Sequence, residues 1–215
     1  MKEWLTVALP KGRVLRAVAP LFSRAGFDTS ALLADDRTLI RVDPEKGLRY
    51  LLLKPDDVPT YVEYGSADLG ICGRDVLAER ACDLYQPLDL GIGRCRMVVA
   101  SVVGAPEVTG VPRVATKYPR TAAEHFARRG VQADIVHVIG SVELAPLVGL
   151  ADVIVDLVET GETLAQNGLE VREVVAQVSS VLIANRAAYK LGQQRIRPII
   201  DALRGAVKSG ILPQA

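Results

Sequence analysis

The sequence predicts an α/β protein built as two lobes, and three observations carry that reading. Between Val111 and Asp156 the chain alternates strand, helix, strand, helix, strand, the pattern of a parallel sheet covered by helices. Strand-to-helix junctions carry glycine, as in "LPKGR" (Leu9 to Arg13) and "ADLGICGRDVL" (Ala67 to Leu77). A further β-rich stretch, "EVREVVAQVSSVLIAN", comes after that alternation, and no low-complexity tract or polar linker interrupts the chain. Two α/β halves are therefore expected to be joined by strands rather than by a flexible tether.

In chain order, "WLTVALP" reads as a strand and "RVLRAVAPLFSRAGF" as an amphipathic helix. "RTLIRVDPEKGLRYLLLK" reads as a hairpin turning at Asp43 to Gly47. "PDDVPTYVEYG" is a short helix with Asp56 or Asp57 as cap and Gly65 as stop. "ADLGICG" is a short buried strand with the helix "RDVLAERA" after it, and "CRMVVASVV" is a strand. Then come "VPRVAT" (strand), "PRTAAEHFARRG" (helix), "ADIVHV" (strand), "SVELAPLVGL" (helix) and "ADVIVD" (strand). "EVREVVAQVSSVLIAN" is expected as one strand. "RAAYKLGQQRIRPIIDALRGAV" closes the chain as a long helix, kinked or broken at Pro198. The expected partition is one lobe over residues 95–178 and another over 1–94 with 179–215, with a ligand cleft between them.

Bulk properties narrow the function. With 26 Lys and Arg against 25 Asp and Glu, the net charge of +1 argues against a general nucleic-acid or membrane-surface binder. No apolar run is long enough to span a bilayer, and the N-terminus lacks the pattern of a secretory signal. Cys72, Cys82 and Cys95 form no CxxC pair and read as reduced thiols of a cytoplasmic protein. His125, on a polar helix, and His137, after a strand, read as structural or exposed rather than catalytic. There is no HExxH, GxSxG or Walker A pattern, which leaves protease, esterase and P-loop chemistry without support.

The stretch that carries most chemistry is "VIVDLVETGET", Val153 to Thr163. A parallel strand ending at Asp156 delivers the next residues to the carboxyl edge of its sheet, where open α/β folds bind ligands. Thr160-Gly161-Glu162-Thr163 then reads as a tight turn into a helix starting near Leu164, with a close-approaching backbone and two hydroxyls suited to a phosphate. Asp156 and Glu159 suit ribose hydroxyls or Mg²⁺ instead. The bland alternative is an ordinary helix start capped by Thr160 or Thr163. In "LPKGR", Lys11, Gly12 and Arg13 form a second candidate anion site at a helix start. At Gly73-Arg74-Asp75, Asp75 reads equally as a cap or a ligand contact. "GIGRCR" precedes a strand rather than coming after one and is no dinucleotide fingerprint, although Arg94 and Arg96 stand at the expected crossover.

Taken together, "LPKGR", "DDRTLIRVD" (Asp35 to Asp43), "KPDDVPTYVEYGSADLGICGRD" (Lys54 to Asp75), "GIGRCRMVVA" and above all "ELAPLVGLADVIVDLVETGETL" (Glu143 to Leu164) resemble the short form of the ATP phosphoribosyltransferase family, over nearly the whole chain. The resemblance implies a fold like that of type II periplasmic binding proteins. It implies transfer of the phosphoribosyl group of phosphoribosyl pyrophosphate (PRPP) to N1 of ATP, with release of pyrophosphate and use of Mg²⁺, as the first step of histidine biosynthesis. It also implies no histidine-binding third domain. A regulatory subunit similar to histidyl-tRNA synthetase is expected instead, with catalytic homodimers inside a hetero-octamer-like complex.

On that reading Asp156 to Thr163 (Asp156, Glu159, Thr160, Gly161, Glu162, Thr163) hold PRPP, with Asp156 or Glu159 on ribose hydroxyls. Lys54, Arg37 and Arg13 are the catalytic cations. Lys11, Gly12, Arg13, Gly73, Asp75 and Arg94 serve ATP and its phosphates. The metal rides mainly on PRPP, with no direct protein ligation expected and Asp156 or Glu159 as the candidate contacts. Lys54 departs from the arginine of many relatives, which keeps the charge and loses the bidentate fork. A non-catalytic solute-binding module and a nucleobase-salvage phosphoribosyltransferase are the rival readings. The second explains the TGET turn alone.

Overall fold

The computed structural model describes residues 4–30, 32–34 and 36–210. Asp35, which opens one of the quoted motifs, lies outside the described residues. The chain divides into two compact units, one formed by Met1–Gly93 with Ser179–Ala215 and one by Arg94–Val178.

In the first unit, strands β1 (Leu5–Pro10), β2 (Ile40–Asp43), β3 (Leu48–Leu53), β4 (Leu69–Gly73) and β5 (Tyr85–Asp89) alternate with helices α1 (Arg13–Arg24), α2 (Val58–Glu63) and α3 (Arg74–Arg80). The second unit holds β6 (Cys95–Val102), β7 (Arg113–Thr116), α4 (Pro119–Arg128), β8 (Asp134–His137), α5 (Leu144–Leu147), β9 (Val153–Val158), α6 (Glu162–Gln166) and β10 (Leu169–Val178). The chain then re-enters the first unit as β11 (Ser180–Ala184), α7 (Arg186–Leu191) and α8 (Gln193–Gly210).

The first sheet runs β2-β3-β1-β4-β11-β5. Strand β1 is buried along its whole length, as a central strand covered on both faces must be. One face forms a broad cluster, in which Val7, Leu9, Leu52, Leu69 and Leu182 meet Val18 and Phe22 of α1 and Ile196, Ile200 and Leu203 of α8. On the other face, Ala8, Cys72 and Ile183 meet Val58 and Val62 of α2. The second sheet runs β10-β6-β9-β7-β8, with α5 and α6 packed on one face and α4 on the other. Among the described residues no disulfide joins Cys72, Cys82 and Cys95.

Several expectations need correction. "EVREVVAQVSSVLIAN" is two strands in two sheets: β10 pairs with β6, while β11 lies between β4 and β5. The switch falls at Ser179, whose carbonyl accepts the Arg74 amide at 3.0 Å and whose hydroxyl donates to Asp89 at 2.9 Å. The closing helix breaks at Gly192, not at Pro198, which sits inside α8. The acceptor that Pro198 leaves without its amide belongs to Gln194, an exposed residue that water can serve. "SVELAPLVGL" shrinks to the single turn α5, because Ser141 takes a φ of 48° and Gly149 one of 74° on either side. The central alternation is parallel as expected, with β7 between β8 and β9, and the sheet becomes mixed only where β6 runs antiparallel to both β9 and β10. Strand β5 has no counterpart among the expected elements, because "YQPLD" is half-exposed, holds a proline and lacks clean alternation. Asp57 stands at the N-cap of α2 but makes no side-chain cap bond; Pro55–Asp57 form a 3₁₀ turn leading into α2.

Tyr50 is fully buried with its ring edge-on to Phe22 at 6.2 Å, yet its hydroxyl has no hydrogen-bond partner among the described residues. A buried hydroxyl without a partner costs on the order of 1 kcal/mol or more. Tyr50→Phe is therefore expected to raise the melting temperature by about 2–4 °C in thermal unfolding; a lower one means the hydroxyl is satisfied.

Candidate active site

Each sheet has a carboxyl edge, and each collects residues that the sequence singles out. In the second unit β7, β8 and β9 run parallel, with Thr116 registered against both His137 and Val155. Their ends therefore share one edge. Lys117 and Tyr118 come after β7, residues 138–143 after β8, and Glu159-Thr160-Gly161 after β9. Strand β6 is antiparallel to β9 with Arg96 opposite Val158, so Arg94 enters β6 at the same edge where the chain leaves β9. Asp156, Glu159, Thr160, Gly161, Glu162, Thr163 and Arg94 are thus gathered at this edge.

Two details differ from expectation. Strand β9 continues to Val158, so Asp156 lies within it rather than at its end, and α6 starts at Glu162 rather than near Leu164. The helix N-cap is Gly161 at φ 88°, not a threonine. The Thr160 Oγ1 instead accepts the Glu162 amide at 3.3 Å. A left-handed residue here turns the chain sharply into α6, and an L side chain at that φ is strained even though its Cβ would meet only Val158 Cγ1, at an ordinary 3.8 Å.

Asp156 is half-buried, and its Oδ1 accepts the Leu157 amide at 2.8 Å. Burial raises its carboxyl above the ordinary 3.8; the Leu157 amide opposes this, the Glu143 charge adds to the rise and Lys117 pulls it down. Lys117, Tyr118 and Glu143 are thus part of this edge. Residue types alone do not single out Lys117 and Tyr118, although "ATKYP" has the same strand-to-helix form as "LPKGR". His125 is buried in α4, with Nε2 3.4 Å from Glu173, and His137 is exposed at the end of β8.

In the first unit β1 is parallel to β3, Pro10 opposite Leu53, and the Lys11 amide donates to the Leu53 carbonyl at 2.8 Å. Lys11 and Lys54 are therefore neighbours. Strand β2 is antiparallel to β3, and the Leu52 amide donates to the Leu39 carbonyl; before that the approach to β2 turns at Asp36, whose Oδ1 accepts the Thr38 amide at 2.7 Å, with Arg37 inside that turn. The buried Arg41 holds this approach in place, gripping both Asp36 oxygens at 2.8 and 2.6 Å. Strand β4 is parallel to β1 on its other side and ends at Gly73, next to the Lys11-Gly12-Arg13 turn.

Asp75 turns inward there. It is 9% exposed, and its Oδ1 lies 2.0 Å from where a Cβ on Gly73 would stand, so a side chain at Gly73 would have to displace the Asp75 carboxylate. The exposed member of that turn is Arg74, which meets Asp89 at 3.3 Å. Burial opposes ionisation of Asp89, but the Gly91 amide, the Ser179 hydroxyl and Arg74 together hold its carboxyl below the usual range. Among the described residues no three His, Cys, Asp or Glu side chains are grouped to hold a metal ion.

Because the folded Asp156 carboxyl titrates above its unfolded value, its ionised form opposes folding. That cost is absent below about pH 3.8, grows as pH rises through the folded value and persists at neutral pH. Asp156→Asn is expected to raise the melting temperature at pH 7 by about 2 °C, with the gain vanishing as pH falls below 4 in a pH series of thermal unfolding.

Comparison with known proteins bears directly on these edges. The family model described as ATP phosphoribosyltransferase matches residues 54–205. An ATP phosphoribosyltransferase of Sorangium cellulosum is 60% identical over 96% of this chain and 97% of its own length. One of Anaeromyxobacter sp. is 53% identical over 95% and 94%, and ATP phosphoribosyltransferase 2 of Geobacter sulfurreducens is 49% identical over 94% and 98%. Among solved structures, the ATP phosphoribosyl transferase (HisG:HisZ) complex from Thermotoga maritima superposes with a TM-score of 0.84 at 32% identity, covering 95% of this chain and 99% of that one. The expected two-lobed fold of periplasmic-binding-protein type is borne out by that match, and the solute-binding and salvage readings fall away. The chain belongs to the ATP phosphoribosyltransferase family.

Proposed function

We propose that the two carboxyl edges divide the work of the family's reaction, with the β9–α6 turn holding PRPP. The reaction joins ATP and PRPP to give N1-(5-phosphoribosyl)-ATP and pyrophosphate, the first step of histidine biosynthesis. The observation that carries the assignment is the turn itself: a left-handed Gly161 opening α6, flanked by Thr160 and Thr163, next to Lys117. Backbone amides and hydroxyls at such a turn suit the 5-phosphate. Asp156 or Glu159, set back from them, takes the ribose hydroxyls.

At C1′ of PRPP, pyrophosphate departs as the adenine N1 lone pair attacks, and positive charge builds on the ribose. N1 needs no base to become nucleophilic, so catalysis rests on alignment and on neutralising the leaving group. Lys54, Arg37 and Arg13 are the cations proposed for pyrophosphate. Lys11, Gly12, Arg13, Gly73 and Arg94 serve the ATP phosphates, and Asp75 supports the turn at Gly73 rather than touching ligand.

The family's reaction needs a divalent metal, and we take it to be Mg²⁺. With no protein cage for it among the described residues, the ion suits the oxygens of PRPP, with Asp156 or Glu159 as the nearest acidic groups. Its contribution is to offset negative charge on the pyrophosphate. By analogy with the Thermotoga maritima HisG:HisZ complex, the chain is proposed to work with a HisZ-like regulatory subunit. The catalytic dimers, the synthetase-like character of that subunit and the cytoplasmic location rest on the family resemblance of the sequence. No described helix is long and apolar enough to cross a membrane.

The primary test is formation of phosphoribosyl-ATP from PRPP and ATP with Mg²⁺, by the chain alone and with the regulatory subunit; silence in both overturns the reading. Thr163→Val is expected to raise KM for PRPP about tenfold with kcat little changed, the loss of one ground-state phosphate contact. Lys54→Ala is expected to lower kcat about a hundredfold with KM for PRPP within about twofold, as for a group that acts on the departing charge. A loss in KM alone reassigns Lys54 to ground-state binding.

A further inference from the structure

Thr116 ends β7 and has no exposed surface, so it cannot touch a substrate. Two of its atoms nevertheless reach the turns after β7 and β8 and the body of β9. Its Oγ1 donates to the Val155 carbonyl at 2.6 Å, one residue before Asp156. The same oxygen accepts the Tyr118 amide at 2.8 Å, in the turn that presents Lys117. Its own carbonyl accepts the Val138 amide at 3.0 Å, where the stretch towards Ser141 and Glu143 begins.

The roles of the hydroxyl are fixed. An amide can only donate, so Tyr118 takes a lone pair of Oγ1 and the single hydroxyl proton is left for Val155. A methyl group in that place would leave one buried donor and one buried acceptor without their partner, in a site closed to water. Backbone ladders alone set β7 beside β9; the hydroxyl also fixes where the chain leaving β7 stands relative to β9.

We propose that Thr116 is a positioning residue for phosphoribosyl transfer, whose buried hydroxyl sets the spacing between the Lys117–Tyr118 turn and strand β9, which carries Asp156 and leads into the Thr160–Thr163 turn, and thereby governs PRPP binding. The inference rests on the assignment of the β9–α6 turn to PRPP.

The test compares Thr116→Val with Thr116→Ser in the full-length chain assayed with its regulatory subunit, varying PRPP and ATP separately, with circular dichroism as the check on folding. The expected result is a rise in KM for PRPP of about tenfold in Thr116→Val, KM for ATP within about twofold, and near wild-type values in Thr116→Ser, which keeps the hydroxyl. An unchanged KM for PRPP, an equal rise for both substrates, or failure of serine to restore binding overturns the proposal, since a merely structural threonine gives one of these. If Thr116→Val does not fold, Thr116→Cys carries the same comparison with a weaker donor: a PRPP-selective rise supports the proposal, and an even rise or none overturns it. Thr163→Val in the same assay separates the two ideas. If it raises KM for PRPP while the Thr116 variants do not, the positioning role alone fails; if it has no effect, the PRPP assignment fails and takes the inference with it.

Discussion

The parallel pairing of β1 with β3, Leu5 opposite Leu48 through Pro10 opposite Leu53, is the constraint on which the first unit's chemistry depends. Parallel strands end at the same edge, and this register ends them level, so the Lys11 amide continues the ladder to Leu53 before the chain turns into α1. Side chains alternate along a strand, and a slip of one residue would invert both faces of β1, which has no solvent-facing side to receive them. The burial of Val7, Leu9, Thr6 and Ala8 thus fixes the position of Lys11 relative to Lys54. Strand β2 runs the other way, and the buried Arg41 fork to Asp36 fixes the turn that leads into it.

The second unit solves a harder electrostatic problem. A turn suited to a phosphate shares its edge with Asp156, Glu159 and Glu143. Depth separates the roles. Asp156 stands inside β9, half-buried, where desolvation disfavours its charge, whereas Thr160 to Thr163 stand beyond the strand end around Gly161. Lys117, from the neighbouring strand, offsets part of the carboxylate charge. A carboxyl group that is reluctant to ionise can lie close to a phosphorylated sugar with less repulsion than an exposed one.

Strong local signals are legible in the sequence. The βαβ alternation, the hairpin at Asp43 to Gly47 and the TGET turn all emerge from periodicity and turn chemistry within a few residues. Tertiary choices are not legible in that way. Ser179 is one of two serines in an unbroken β-rich run, and only its bonds to Arg74 and Asp89 make it the point where one sheet ends and another begins. Pro198 has the residue type of a helix breaker in a helix that tolerates it, because exposure of the affected turn is decided by packing. Asp75 has the right residue type for a ligand contact, but its fold back over Gly73 is a matter of distances that spacing does not encode. Lys117 carries a visible signal, the same strand-lysine-helix junction as Lys11, but no glycine marks it.

The return of the chain at Ser179 also orders events in time. The second unit is continuous from Arg94 to Val178, so everything it needs is present once that stretch has left the ribosome. The first unit is not. Strand β4 lacks its β11 neighbour, and the large cluster on α1 lacks Ile196, Ile200 and Leu203, until the last helix has been made. The part of the first unit translated before the second is thus sealed only after it. During that interval the apolar face of β1, β3 and β4 is without its final cover, which makes this face the part of the nascent protein most dependent on chaperones or on fast completion.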